Sequence, residues 1–236
     1  MEKALGMFMV LIIALAMTGV AVSHWSDNVQ VQGTVHMGDF IVGWLDIKDC
    51  SDSDDPFPGK DLAEVKCRLE DPETSVHHEP PVTIYHTLVV EVENAYPHYW
   101  AQCVVDIKNA GTIPAHIVEI TVAGTGLVAV ENKWDGNGRP IGWRLDNARS
   151  GKEVLNIELY KFLPLADLSV SVRPKMSLIC NQIDPCQDEV VYLWLDIKQT
   201  AEECHTYEFT IDILAVQWNM AWEWGIDHYP PPPMRD

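Results

Sequence analysis

The sequence predicts an all-β protein, an antiparallel two-sheet sandwich of jelly-roll type. Three observations lead there. Apolar and polar residues alternate with period two in segment after segment, which marks strands with one buried and one wetted face. Turn-forming residues punctuate these segments, most clearly Asn109-Ala110-Gly111-Thr112-Ile113-Pro114 and Asp135-Gly136-Asn137-Gly138. Helical spacing is scarce. The best candidate is short, over residues 59–69, where Leu62, Ala63, Val65 and Leu69 recur at loosely helical intervals.

The elements follow in chain order. Residues 4–22 form an uncharged apolar run that ends in Ala21-Val22-Ser23. A small-x-small site directly after such a run reads as an export signal over residues 1–23, with signal peptidase cutting between Ser23 and His24. The alternative is a retained N-terminal anchor, since the run is long enough to span a bilayer. An alternating segment then runs to a turn at Met37-Gly38-Asp39, with Val29, Val31 and Val35 on one face and Gln30, Gln32 and Thr34 on the other. A second strand is expected over residues 40–44. Residues 49–81 read as an acidic, Pro-rich insertion. Further strands are expected around Leu88–Val92, Ala101–Ile107, His116–Val122, Leu155–Leu159, Leu168–Val172, Val191–Ile197 and Tyr207–Ile213, in each case with alternate residues inward. One sandwich domain thus spans residues 24–227, and a polyproline tail follows over residues 228–236.

Composition narrows the function. The chain of 236 residues carries a net charge of −19, which argues against nucleic acid and against anionic membrane surfaces. Six cysteines in an exported chain permit three disulfides. Cys50 and Cys67 bracket the acidic stretch, Cys180 and Cys186 bracket a turn-like segment, and Cys103 and Cys204 pair by default. Asp46, Asp49, Asp52, Asp54, Asp55 and Asp61 crowd one stretch. Asp49, Asp52, Asp54, Asp55 and Asp61 are candidate ligands for Ca2+, a hard cation that takes six to eight oxygens. The alternative is an acidic loop that binds nothing. No His-Glu-x-x-His motif, Gly-x-Ser-x-Gly elbow or phosphate loop occurs, so no catalytic residue is assigned. Trp218, Trp222 and Trp224 belong to an unusual total of nine tryptophans. Their readings are core packing, a subunit contact together with Trp25, or a carbohydrate platform.

The junction Ser23-His24-Trp25-Ser26-Asp27, followed by Val31-Gln32-Gly33-Thr34-Val35, resembles the TasA and camelysin-like group, whose signal peptides are of the SipW-dependent type. Two further segments, residues 92–97 and 106–115, resemble archaeal members that include bundling pilus subunits, as does the closing stretch over residues 207–218. The resemblance implies a secreted jelly-roll subunit of an extracellular filament, pilus or biofilm matrix. The N-terminal strand of each copy would complete the sheet of the next. Trp25, Val29, Val31 and Val35 are then the donor-strand residues, and the partners are copies of the same chain. The group also contains proteins labelled metallo-endopeptidases, so a secreted peptidase is the rival class, and a cell-surface carbohydrate-binding sandwich is a third.

Overall fold

A computed structural model describes residues 38–53, 63–76, 79–162, 174–217 and 219–220. The expected export signal, the expected cleavage site at Ser23 and His24, the expected donor segment with Trp25, Val29, Val31 and Val35, the strand expected near Val170, and Trp218, Trp222 and Trp224 lie outside the described residues. So does the polyproline tail.

The described chain is all-β. Its strands are β1 (Val42–Asp52), β2 (Glu64–Ser75), β3 (Val82–Ala95), β4 (Trp100–Asn109), β5 (Ala115–Gly124), β6 (Leu127–Trp134), β7 (Pro140–Asn147), β8 (Glu153–Phe162), β9 (Lys175–Met176), β10 (Gln182–Ile183), β11 (Asp188–Ile197) and β12 (His205–Gln217). Nine of them close an antiparallel barrel in the order β1-β4-β11-β8-β7-β6-β5-β12-β3 and back to β1, while β2, β9 and β10 pair onto its strands. Two joins in the ring are thin. β1 meets β3 only at Trp44 opposite Tyr85, and β5 meets β6 only at the Gly124–Leu127 pair that closes their hairpin.

The inner face is filled by the alternating residues. Ala101, Cys103, Val105 and Ile107 of β4 are wholly buried, and so are Val191, Leu193, Leu195 and Ile197 of β11. Leu88, Val90 and Val92 of β3 join Phe209 and Ile211 of β12 in the same core. Burying each such side chain contributes about 1.5–3 kcal/mol.

Strand β5 departs from simple alternation. The sequence puts His116, Val118, Ile120 and Val122 on one face, but Ala115 and Ile117 are the fully buried residues of its first half. The register against β12 slips between Leu214 and Ala215, opposite Glu119 and Ile117. A bulge there reverses which side chains face inward, so Ile120 and Val122 point to the core after Ile117 has done so.

Two expectations for residues 49–81 are corrected. Strand β1 continues to Asp52, and from Glu64 the chain is strand β2, where a helix over residues 59–69 was expected. Val65, Cys67 and Leu69 are half-buried and alternate with exposed Lys66, Arg68 and Glu70. That period-two pattern prevails over the looser helical spacing because β2 has a full-length partner in β3, from Glu64 opposite Glu93 to Ser75 opposite Val82.

The thin β1–β3 join depends on a glycine. A Cβ on Gly43 would stand 2.5 Å from both Ile84 Cδ1 and the Tyr85 carbonyl oxygen. Gly43→Ala is therefore expected to lower stability by about 1–3 kcal/mol, read as a lower urea midpoint with an unchanged slope.

Acid should loosen the barrel through two buried groups. Burial lowers the pKa of His116, against the opposing pull of the Cys180 backbone and Gln182. Burial alone would raise Glu158, but hydrogen bonds from Lys133 and Lys175 outweigh it and hold its carboxyl below the usual value. Both folded pKa values are depressed, so both contributions are present at neutral pH. That of His116 is lost as pH falls below about 6.5, and that of Glu158 as pH falls below about 4.5. Thermal midpoints measured from pH 7.5 down to 4 should fall in two stages, and His116→Gln should remove the upper one.

Candidate functional site

The seam between β1 and β2 gathers Asp49, Cys50, Asp52, Cys67 and, from the adjoining β4, Cys103 among the sequence-predicted residues. Beyond Trp44, β1 pairs only with β4, and β2 pairs only with β3. Among the described residues neither strand has a ladder partner on the side facing the seam.

Two bulges shape the β1 side. The register against β4 slips between Trp44 and Asp46 and again between Ile47 and Asp49. Each bulge adds one residue, so inward positions recur every third residue instead of every second. Trp44, Ile47 and Cys50 thereby stand opposite the inward Ile107, Val105 and Cys103.

This register brings three sulfurs together. Cys50 and Cys103 are directly opposed and form a disulfide across β1 and β4. Cys67 reaches in from β2, its Sγ 3.2 Å from that of Cys103. Burial pushes the Cys67 thiol up to about 12, so it is neutral at physiological pH. The expected pairs Cys50–Cys67, Cys180–Cys186 and Cys103–Cys204 are therefore replaced by Cys50–Cys103, with Cys67, Cys180, Cys186 and Cys204 as thiols. The reason is register, since Cys67 lies laterally opposite Val90 on β3. Cys204 stands at a turn whose N–H donates to the Ala95 carbonyl. Cys180 and Cys186 each occupy a left-handed turn position, φ 62° and 65°, where their N–H groups donate to the Ile117 and Asn109 carbonyls.

Two of the candidate calcium ligands, Asp49 and Asp52, fall among the described residues. Asp49 is exposed on β1, and Asp52 accepts a 2.6 Å hydrogen bond from the Tyr99 hydroxyl. Asp54, Asp55 and Asp61 lie outside the described residues. Nearby Asp46 shares Lys48 with the buried Asp106. Among the described residues, the three cysteines are the one group of potential metal-ligating side chains close enough to share an ion.

The outer face of β2 is laced with charge. Lys66 pairs with Glu93 at 2.7 Å, and Arg68 pairs with Glu70 at 2.7 Å and Glu208 at 2.9 Å. These exposed pairs link β2, β3 and β12 across the surface. Each contributes at most about 1 kcal/mol.

Two features escaped the sequence reading. Trp100 and Trp194 stack nearly parallel, with centroids 4.8 Å apart, on neighbouring strands β4 and β11. Their spacing along the chain carries no signal, because only the strand pairing brings them together. The second is a knot around Asn109, where Asn109 Nδ2 donates to the Ile113 and Ile183 carbonyls and Oδ1 accepts from the Gly111 N–H. The knot also holds the start of the described chain. Asp39 N–H donates to Thr112 Oγ1 at 2.8 Å, and its carbonyl accepts from the Thr112 N–H at 2.8 Å.

No family model matches this chain, and neither a curated protein nor a solved structure matches it.

Proposed function

We propose that this protein is an exported structural subunit of an extracellular filament, in which residues 25–35 of one copy add a strand at the β1–β2 seam of the next. The observation that supports this reading most is the seam itself. It is a pair of strand edges without a ladder partner among the described residues: β1, which beyond its one pair with β3 at Trp44–Tyr85 is laddered only to β4, and β2, which is laddered only to β3. Such edges are templates for an added strand, whose main-chain hydrogen bonds give affinity while alternate side chains fill pockets. Valines 29, 31 and 35 would face inward over Ile47 and Leu69. The contact is head-to-tail and does not close on itself, so it propagates.

The jelly-roll form of the fold belongs to the same reading. The two thin joins divide the ring into β1-β4-β11-β8-β7-β6 and β5-β12-β3 with β2, which gives the two facing sheets of a sandwich.

Negative-stain microscopy of the exported protein is expected to show filaments, and a chain beginning at Asp39 to remain monomeric. Val31→Asp should block assembly by placing an unpaired carboxylate in an apolar groove, at a cost of several kcal/mol. Normal polymerisation of the shortened chain would move the contact to another surface. A carbohydrate-binding reading is favoured only by the Trp100–Trp194 stack. It requires glycan binding that Trp100→Ala removes and that monomers retain.

A further inference from the structure

We infer that the Cys50, Cys67 and Cys103 cluster, once its disulfide is reduced, is a binding site for a single thiophilic monovalent cation of the Cu(I) type. Three Sγ atoms from three strands lie within 4.8 Å of one another. A soft ion with metal–sulfur distances of about 2.3 Å and three coplanar thiolates needs sulfurs about 4.0 Å apart. The backbone already holds the three positions within that reach. Opening the Cys50–Cys103 bond lets its two sulfurs separate to the required spacing by side-chain rotation.

The donor set selects the ion class. Among the described residues no imidazole or carboxylate joins the sulfurs, so hard cations find no suitable ligands there, whereas thiolates favour soft d10 ions. The number of donors matters too. Structural Zn2+ almost always takes four ligands, while Cu(I) is satisfied by three thiolates. Cys103 is fully buried, and Cys50 and Cys67 pack against the core, which shields a bound ion from water and oxidant. The site does not depend on filament assembly, since all three ligands come from one chain.

The chemistry balances simply. A phosphine reductant takes an oxygen atom from water, becomes the phosphine oxide, and supplies two electrons that split the disulfide into two thiols. Cu(I) then displaces thiol protons to the solvent as the sulfurs bind, so binding should strengthen as pH rises.

The test uses the whole exported chain, reduced with a phosphine under anaerobic conditions and titrated with Cu(I) held by a chromophoric chelator. The expected result is one tightly held equivalent, with a sulfur-only, three-neighbour shell by X-ray absorption. Cys67→Ser should weaken binding at least tenfold. The triple replacement of Cys180, Cys186 and Cys204 by Ser should leave it unchanged. Circular dichroism verifies that each variant is folded, and Cu(I) should raise the thermal midpoint of the reduced parent but not of Cys67→Ser. Retention of the tight equivalent in Cys67→Ser, its loss in the triple variant, a two-sulfur shell, or no tight binding by the reduced parent would each overturn the assignment.

Discussion

Trp44→Ala is expected to destabilise the barrel by about 3–5 kcal/mol, a fall of roughly 10 °C in thermal midpoint for a domain of this size. Trp44 is wholly buried. It forms the single pair that joins β1 to β3, and its indole Nε1–H donates to the Ile211 carbonyl at 3.2 Å on β12. Removing it therefore leaves a cavity, deletes a hydrogen bond to a buried carbonyl and weakens one of the two thin joins of the ring. Trp44→Phe separates these effects, because it keeps much of the volume and loses the hydrogen bond, and should cost only about 1–2 kcal/mol. Urea unfolding followed by far-ultraviolet dichroism measures both. A loss below 1 kcal/mol for Trp44→Ala would mean that β1 is held by β4 alone.

Asn109→Ala should be nearly as damaging. The Asn109 side chain makes three hydrogen bonds, to the Ile113 and Ile183 carbonyls at 2.8 and 2.9 Å and from the Gly111 N–H at 3.0 Å. The residue is completely buried. Alanine deletes all three bonds, and each buried polar group left short of a partner costs about 1–3 kcal/mol. The net loss should be roughly 3–5 kcal/mol. Asn109→Asp should be worse at neutral pH, because a carboxylate would face two carbonyl oxygens. Its deficit should shrink in acid as the carboxyl gains a proton to donate. Equal stability of the Asp and Ala variants across pH would contradict the hydrogen-bond assignment.

The strands of the core were legible because their environment is regular. In β4 from Ala101 and in β11 from Val191 every second residue is buried, so period two in the sequence is period two in space. β1 was legible only as far as Trp44. Beyond it, bulges change the inward repeat to three, and Cys50 then looks like a stray apolar residue in an acidic loop. Val65, Cys67 and Leu69 of β2 alternate correctly. Their apolar face is narrow, however, and Leu62 and Ala63 before them suggested a helix. Cysteine partners were not readable from loop length, because the bond follows register across β1 and β4 and not closeness along the chain. The sulfur cluster could have been found by asking which cysteines fall inward, but only with the bulges of β1 known. The stack of Trp100 on Trp194 depends wholly on which strands are neighbours, a fact that alternation does not contain.

The Cys50–Cys103 bond also sets how the protein yields under tension. A pull applied to the chain before Gly38 first meets the hydrogen bonds between Asp39 and Thr112 and between Ile41 and Ala110. If these and the β1 ladder give way, residues 38–50 can pay out, a length of roughly 40 Å fully extended. There the load passes through a covalent bond into β4, in the middle of its sheet between β1 and β11. The loop that the bridge closes, which carries β2 and β3, is thus taken off the load path and cannot lengthen the chain until the sulfur bridge is reduced. A reducing environment would add that hidden length to what the same molecule can release.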